Sequence, residues 1–328
     1  TGGEAPRVSR MGGKDWSETR SKVRKAVAAV AEQVVRLHRM RAQAVGHAHA
    51  LDSPWQREME GGFPFEETAD QLVAIADVKS DMESGKPMDR LIFGDVGFGK
   101  TEVAIRAAFK AVTSGKQVAV LVPTTVLAQQ HFTTFKRRLA AFPVRVEMLS
   151  RFRTAKQVNE VLGKLQEGKI DIVIGTHRLI QKDVRFKQLG LVIIDEEQRF
   201  GVRQKERLKQ LRAEVDLLTL TATPIPRTLN MAMSGIRDLS IIATPPARRM
   251  AVKTLVVQWD TALLREALQR EIQRGGQVFF LHNEVRNIER IAREVQELAP
   301  NARVAVAHGQ MPERQLENVM LDFYSQRY

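Results

Sequence analysis

Eight consecutive residues have the types and the spacing of a loop that binds phosphate groups. They read Gly94-Asp-Val-Gly-Phe-Gly-Lys-Thr101 and fit the pattern G-x-x-x-x-G-K-[ST]. Glycines let the main chain approach a polyphosphate and turn its N–H groups toward it. Lys100 would reach the β- and γ-phosphates, and the Thr101 hydroxyl would hold Mg²⁺. The residues expected at the nucleotide are Gly94, Asp95, Val96, Gly97, Phe98, Gly99, Lys100, Thr101 and Glu102.

A second run supplies the carboxylates that phosphoryl transfer needs. Four apolar residues precede Asp195-Glu-Glu-Gln198 and predict a buried strand that ends in acids. Asp195 would hold Mg²⁺ through water, and Glu196 would orient and deprotonate the attacking water. Together with Lys100, these are the predicted catalytic residues. Acidic strand ends that merely start a helix are common, so the interpretation depends on the phosphate loop.

Upstream of the loop, Phe65 and Gln71 form a candidate adenine site. The Phe65 ring would stack on the base and the Gln71 amide would bond its edge. The alternative is structural, because Thr68 is a natural N-cap and a helix N-terminus needs a cap and an apolar contact in any case.

A third run, Thr221-Ala-Thr223, also follows an apolar strand, and Arg227 lies four residues further on. Small hydroxyl side chains at that position could relay the state of the phosphate site, with Arg227 as part of the same coupling segment. An ordinary transition from strand to loop would look the same.

Polar and basic residues follow three other predicted strands. Hydroxyls, arginines and main-chain N–H groups bind phosphates of nucleic acid without reading bases. The chain has 51 Lys and Arg against 38 Asp and Glu, a net charge of +13 that favours a polyanionic partner over a merely solubilising surface. The predicted DNA contacts are Thr124, Thr125, Arg151, Arg153, Thr176, His177 and Arg178.

Short apolar strands alternate with amphipathic helices around these runs. They predict a doubly wound α/β domain, in which ligands bind at the carboxyl ends of parallel strands. Besides the strand at 91–93, the predicted strands are 117–122, 144–149, 170–174, 190–194 and 217–220.

A second, shorter α/β unit is predicted after a hinge at Pro245-Pro246. Its strands would span 252–257, 278–282 and 303–307, with helices at 262–274 and 288–298. It is too short for a complete doubly wound domain. At the other end, a basic amphipathic helix is predicted from about residue 15 to 45, followed by a linker at 46–62.

Composition limits the class of protein. Hydrophobic residues make up 43% of the 328 and charged residues 27%, with no apolar run as long as a membrane span. There are no cysteines, so disulfides and thiolate metal sites are excluded, which fits a reducing cytoplasm. The chain starts at Thr1-Gly-Gly-Glu, and we expect it to be a fragment of a longer protein.

The order of these runs resembles superfamily 2 helicases and translocases. The stretches from Gly94 to Glu102, from Asp195 to Gly201 and from Thr221 to Leu229 resemble the bacterial transcription-repair coupling factor family, with a RecG-like motor. Met11-Gly-Gly-Lys-Asp-Trp16, followed by the basic helix, favours this family over RecG-type helicases, which share much of the pattern.

The resemblance implies an ATP- and Mg²⁺-dependent translocase on double-stranded DNA. The intact protein would displace stalled RNA polymerase and recruit an excision-repair recognition protein. The resemblance also implies that this chain has four regions. They are the end of a polymerase-binding domain (1–13), a basic linker helix and linker (14–61), a first RecA-like ATP-binding domain (62–247) and a truncated second RecA-like domain (248–328). It also supports Phe65 and Gln71 as the adenine site.

Two alternatives remain open at the level of sequence. One is a RecG-type helicase of branched DNA. The other is a binding module that holds nucleotide and DNA with little turnover, because the chain contains no Gly-Arg-x-Gly-Arg run, the segment that the resemblance implies as the source of an arginine finger.

Overall fold

The computed structural model describes residues 20–21, 44–150, 154–200, 215–223, 237–247, 249 and 252–328. These residues form two compact units. Unit 1 comprises the described residues up to Pro123 and those of His131–Ala247, and unit 2 comprises Thr124–Gln130 and the described residues after Ala247. Most of the predicted N-terminal helix lies outside the described residues, as do Arg151, Arg153 and Arg227.

Unit 1 contains a seven-stranded sheet in which all pairs of neighbouring strands are parallel. The strand order is β3-β4-β2-β5-β6-β1-β7. The strands are β1 (Asp89–Gly94), β2 (Gln117–Leu121), β3 (Val146–Leu149), β4 (Ile172–Gly175), β5 (Leu189–Asp195), β6 (Asp216–Thr221) and β7 (Asp238–Ile242). Strands β2, β4 and β6 are buried along their whole length, as expected of parallel strands that are covered on both faces. The predicted parallel α/β fold is confirmed.

The strand order places two groups of strand ends side by side along the carboxyl edge of the sheet. Leu121 of β2 and Leu149 of β3 both pair with Gly175 of β4, so those three strands end together. On the other side of the β2–β5 pair, β5, β6 and β1 end together, with Phe93 paired to Thr221. Each group carries one set of the predicted site residues.

Five helices accompany the strands of this part of the chain. They are α1 (Pro54–Gly61), α2 (Ala69–Glu83), α3 (Lys100–Thr113), α4 (Thr125–Arg138) and α5 (Ala155–Gln166). Thr68 caps α2 as predicted: its hydroxyl accepts from Gln71 N, and the Gln71 side chain accepts from Thr68 N.

Two elements of unit 1 differ from the prediction. The predicted linker contains α1, because Ser53 accepts from Gln56 N at 3.2 Å and Pro54 occupies the first helical turn, where proline is tolerated. Strand β7 was not predicted, because its sequence lacks the continuous apolar run that marks the neighbouring strands. Its residues are accordingly only partly buried.

Unit 2 has helices α6 (Thr261–Gln273), α7 (Ile288–Leu298) and α8 (Glu313–Tyr324). The two helices that were predicted here are confirmed, and α6 and α7 share a small apolar cluster that includes Leu268 and Ile291. The three predicted strands are wrong, since the described residues after Ala247 form no strand. A parallel strand needs neighbours to bond its main chain and cover both faces. Instead, Val256 and Leu281 are 96% and 94% exposed.

Candidate functional site

The phosphate loop joins β1 to α3, and its geometry requires glycine at three positions. Gly97 and Gly99 have φ of 79° and 81°, in the left-handed region that side chains disfavour. A Cβ on Gly99 would lie 2.4 Å from the Gln71 side-chain nitrogen, and one on Gly94 would lie 2.9 Å from Ile242 O of β7. Gly94 and Gly99 are therefore required by close neighbours, and Gly97 and Gly99 by their main-chain conformation.

Lys100 lies inside this loop. Its ammonium donates to Gly94 O at 2.7 Å and to Asp95 O at 3.0 Å. Burial lowers the pKa of Lys100, and the charges of Asp195, Glu196 and Asp95 oppose that shift. A cation that is held among main-chain oxygens beside a helix N-terminus suits a polyphosphate, whose negative charge would offset the cost of burial. The residues present therefore fit a nucleotide.

Gln71 connects α2 to the loop. Its amide nitrogen donates to Phe98 O at 2.9 Å, while its amide oxygen accepts from Thr68 N. Phe65 is 63% exposed and packs edge-on against Phe63, with the ring centroids 5.5 Å apart. The structure thus brings Gln71 to the phosphate loop, whereas the adenine role of both residues stays a prediction.

The acidic run follows β5, next to β6 and β2 in the sheet. Asp195 is the last residue of β5, and its carboxylate accepts from His131 Nε2 at 2.9 Å. Glu196 has φ of 53° and ψ of 52°, a left-handed conformation that is rare outside glycine. Its carboxylate accepts from Ala222 N at 3.2 Å. Main-chain conformations of this kind are strained and cluster at functional sites.

Gln198 joins the acidic run to the Thr-Ala-Thr run. Its amide nitrogen contacts the Glu196 carboxylate and donates to Thr223 Oγ1 at 3.0 Å. Thr221 Oγ1 donates to the Gln198 amide oxygen at 3.4 Å and accepts from Thr223 N at 3.2 Å. The structure therefore places Thr221 and Thr223 one side chain away from Glu196.

Glu102 follows Thr101 at the start of α3, and its side chain belongs to an ion-pair cluster. It accepts from Arg106 Nε at 3.0 Å and from Arg138 Nη2 at 2.6 Å, and it is only 8% exposed. Both guanidinium groups lie 5.4 Å from the ring centroid of Phe63. Although Glu102 was predicted at the nucleotide, its carboxylate is occupied by arginines in this cluster.

Three of the predicted DNA contacts, Thr176, His177 and Arg178, follow β4 on the other side of the carboxyl edge. Thr176 follows β4 directly, and His177 and Arg178 lie in a short 3₁₀ helix, His177–Ile180. Arg178 makes a two-armed ion pair with Asp183, at 2.7 Å for one arm. This pair lowers the pKa of Asp183, chiefly through the hydrogen bond from Arg178.

After β2, Thr124 and Thr125 stand at the start of α4. Thr124 Oγ1 accepts from Leu127 N at 3.3 Å, and the Thr125 side chain is buried. Thr124 is therefore the more accessible of the two.

Residues 68–232, about half of the chain, match the DEAD/DEAH box helicase family. The chain belongs to that family. The matched range contains the phosphate loop, the acidic run and the Thr-Ala-Thr run of this helicase-family chain.

The individual proteins that are similar to this chain include transcription-repair-coupling factors. The chain is 56% identical to the transcription-repair-coupling factor of Bacillus subtilis (strain 168) and 59% identical to that of Escherichia coli (strain K12), each over 321 residues and 98% of this chain. It spans 27% and 28% of those relatives' lengths. The structure of RecG bound to a three-way DNA junction is similar with a TM-score of 0.72 and 33% identity, over 90% of this chain and 41% of RecG. The predicted resemblance and the RecA-like fold of the helicase family are confirmed.

Sequence reasoning did not find that His131, Arg138 and Gln198 contact residues of this predicted helicase site. Gln198 carried a local signal, since it stands within the acidic run. His131 and Arg138 carried none, because their partners are 64 and 36 residues away in the chain. Among the helices of the described residues, none is long and apolar enough to cross a membrane.

Proposed function

We propose that this chain is the nucleotide-binding and hydrolysing part of an ATP-driven translocase on double-stranded DNA. One observation carries the proposal. In a member of the DEAD/DEAH box helicase family, the phosphate loop, the acidic run and the Thr-Ala-Thr run meet at the ends of three adjacent strands, β1, β5 and β6. Ligands of open parallel sheets bind at such ends.

The residues divide the work of hydrolysis among them. The loop's N–H groups and Lys100 bind the phosphates, and the Thr101 hydroxyl and Asp195 would hold Mg²⁺. Mg²⁺, when bound, neutralises charge on the β- and γ-phosphates. Glu196 orients a water molecule in line with the γ-phosphorus and takes its proton as the bond to the β-phosphate breaks. The products are ADP and inorganic phosphate.

Gln198 connects the Thr-Ala-Thr run to the proposed hydrolytic residue Glu196. Since it contacts both Glu196 and Thr223, a change in the carboxylate's position alters the hydrogen bonds of Thr223. We propose that Thr221 and Thr223 couple hydrolysis to movement of the chain on DNA, with Arg227 as a further member of that segment.

DNA would bind at the β3-β4-β2 half of the edge. Thr124 would offer an exposed hydroxyl and Arg178 a guanidinium, groups that bind phosphates without reading sequence. Thr125 and Thr176, whose side chains are buried, complete the proposed set together with His177, Arg151 and Arg153. The net charge of +13 supports a polyanionic partner.

The similarity to coupling factors suggests the kind of larger protein in which this chain acts. As the coupling-factor relatives match 98% of this chain, we propose that it acts in a protein that displaces stalled RNA polymerase and recruits an excision-repair recognition protein in the bacterial cytoplasm. The RecG likeness supports a second candidate, a helicase of branched DNA. Tighter binding to a three-way junction than to linear duplex would favour that candidate.

Nucleotide binding and ATP hydrolysis by this polypeptide, with and without linear double-stranded DNA, test the proposal. We expect Lys100→Ala to abolish binding, and Glu196→Gln to retain binding but lose turnover. Glu167→Gln, an exposed carboxylate exchanged in the same way, is the matched control.

We expect slow turnover by this polypeptide alone, because an arginine finger typically contributes about 10³–10⁵ in rate and the sequence has no Gly-Arg-x-Gly-Arg run. Nucleotide binding that is unchanged in Lys100→Ala would contradict the proposed site. Full turnover in Glu196→Gln would contradict the role of Glu196.

A further inference from the structure

Helix α4 carries two side chains that contact the proposed nucleotide site at separate points. His131 and Arg138 are seven residues apart, which places them on one face of the helix, two turns from each other. His131 bonds the Asp195 carboxylate, and Arg138 bonds the Glu102 carboxylate. The two acids belong to different elements: Asp195 ends β5, and Glu102 follows Thr101 in α3.

The contact of His131 with Asp195 is specific. The histidine is 6% exposed, and its Nε2 lies 2.9 Å from Asp195 Oδ2. Because a carboxylate only accepts hydrogen bonds, Nε2 carries the hydrogen. Among the described residues, Nδ1 has no hydrogen-bond partner. The bond to Asp195 is thus the polar contact that orients this buried ring.

Arg138 donates two hydrogen bonds to the Glu102 carboxylate. Its Nε and Nη2 lie 3.1 Å and 2.6 Å from the two carboxylate oxygens, a geometry that fixes direction as well as distance. Nη2 also donates to Met59 O at 3.1 Å, and the guanidinium lies over the Phe63 ring. Arg138 is therefore anchored on several sides, and Glu102 is held next to Thr101.

The other end of α4 carries two of the proposed DNA contacts. The helix begins at Thr125, directly after Thr124 and four residues past the end of β2. A shift or rotation of α4 on binding DNA would therefore move His131 and Arg138 together, and with them the residues proposed to hold Mg²⁺.

We propose that His131 and Arg138 are positioning residues through which α4 couples DNA binding to the Mg²⁺–nucleotide site. The inference rests on the proposed function and adds the connection between its two sites. Coupling of this kind is reciprocal, so DNA and nucleotide must change each other's affinity by the same factor.

Binding measurements separate this role from a purely structural one. The affinity of a fluorescent ADP is measured with Mg²⁺ and with a chelator, each without and with saturating duplex DNA. The affinity for DNA is measured without and with nucleotide. The variants are His131→Ala, His131→Gln, Arg138→Ala and Arg138→Lys. Arg137→Ala is the control, since it removes an exposed positive charge from the same helix.

The coupling factor is the ratio of the nucleotide affinities measured with and without saturating DNA. In the wild type we expect this factor to be about fivefold or more. His131→Ala and Arg138→Ala should bring it close to one, while nucleotide binding in chelator and DNA binding without nucleotide stay unchanged. His131→Gln should restore much of the coupling, because its amide can donate to Asp195. Arg138→Lys should restore less, because it cannot make the two-armed bond. Arg137→Ala should couple like the wild type.

The inference is overturned if both alanine variants couple like the wild type, or if the wild type binds both ligands without coupling. Loss of binding in chelator together with loss of coupling would also count against it, since that pattern marks general damage to the site. Failure of the proposed function looks different: nucleotide binding would then be independent of Lys100.

Discussion

The Gln71 amide nitrogen donates to the Phe98 main-chain oxygen at 2.9 Å. The same side chain accepts from Thr68 N at 3.1 Å and so completes the capping box of α2. One residue therefore ties the start of α2 to the phosphate loop. Its two roles use different atoms of the amide, which allows them to be separated by substitution.

Replacing Gln71 should show this separation. In Gln71→Glu, a carboxylate oxygen still accepts from Thr68 N, but no donor faces Phe98 O. We expect this variant to bind nucleotide about tenfold more weakly than the wild type. Its unfolding free energy should fall by about 1 kcal/mol, because one hydrogen bond is lost. Gln71→Ala loses both bonds and should destabilise the fold further, by about 1 kcal/mol. Nucleotide titration and urea unfolding measure the two effects. Equal unfolding free energies for the two variants would contradict the capping role.

Two glycines of the loop should respond differently to alanine. Both have positive φ, so either substitution strains the main chain by about 1–2 kcal/mol. A Cβ on Gly97 meets open space, whereas one on Gly99 would displace the Gln71 amide. We therefore expect Gly99→Ala to lower the unfolding free energy by about 1 kcal/mol more than Gly97→Ala, because it also breaks the bond to Phe98.

A double-mutant cycle checks this explanation. The extra cost of Gly99→Ala should disappear in a Gln71→Ala background, whereas the cost of Gly97→Ala should not change. Additive costs for Gly99→Ala and Gln71→Ala would show that the clash with Gln71 is not the cause.

Asp183 should restrain DNA binding by occupying Arg178. Removing its charge in Asp183→Asn frees the guanidinium for a phosphate, so we expect tighter binding to duplex DNA at low salt. One added phosphate contact should make the slope of log affinity against log salt steeper by about one. The control is Asp322→Asn, which removes the same charge from another exposed aspartate–arginine pair with the same spacing in sequence, that with Arg327. An equal gain in both variants would mean a general charge effect.

Asp70 should make stability depend on pH. Its carboxylate accepts from Thr244 Oγ1 and N at 2.8 Å each and from Ala243 N at 2.9 Å. These bonds, the Thr244 hydroxyl first, lower the pKa of Asp70 below 3.8. The stabilisation is therefore fully present above pH 3.8 and is lost as the pH falls through the lower folded pKa.

Asp70→Asn retains a neutral acceptor and removes only the charge. We expect it to be less stable than the wild type in urea unfolding at pH 7, with the difference narrowing below the unfolded-state pKa of 3.8. A difference that stays the same at pH 7 and at pH 3 would contradict the assignment to the carboxylate charge.

Several features were predictable because they depend on neighbours in sequence. The phosphate loop from Gly94 to Thr101 needs a strand, a glycine turn and a helix in succession, and all three are read from one run of residues. The Thr68 cap and strands β1 to β6 follow in the same way, from local side-chain bonding and from apolar runs, whereas β7 has no continuous apolar run and was not predicted. The predicted strands of unit 2 failed because an apolar run becomes a strand only where other strands accept its hydrogen bonds.

The sequence by itself thus determined which residues could bind phosphates and supply carboxylates. Tertiary structure decided how they are connected. Strand order places β2 beside β5, and only this adjacency brings His131 within 2.9 Å of Asp195. Another contact between distant residues pairs Glu102 with Arg138, 36 positions further along the chain. Contacts between residues far apart in the chain depend on how the sheet is ordered, and no local pattern of residues encodes that order.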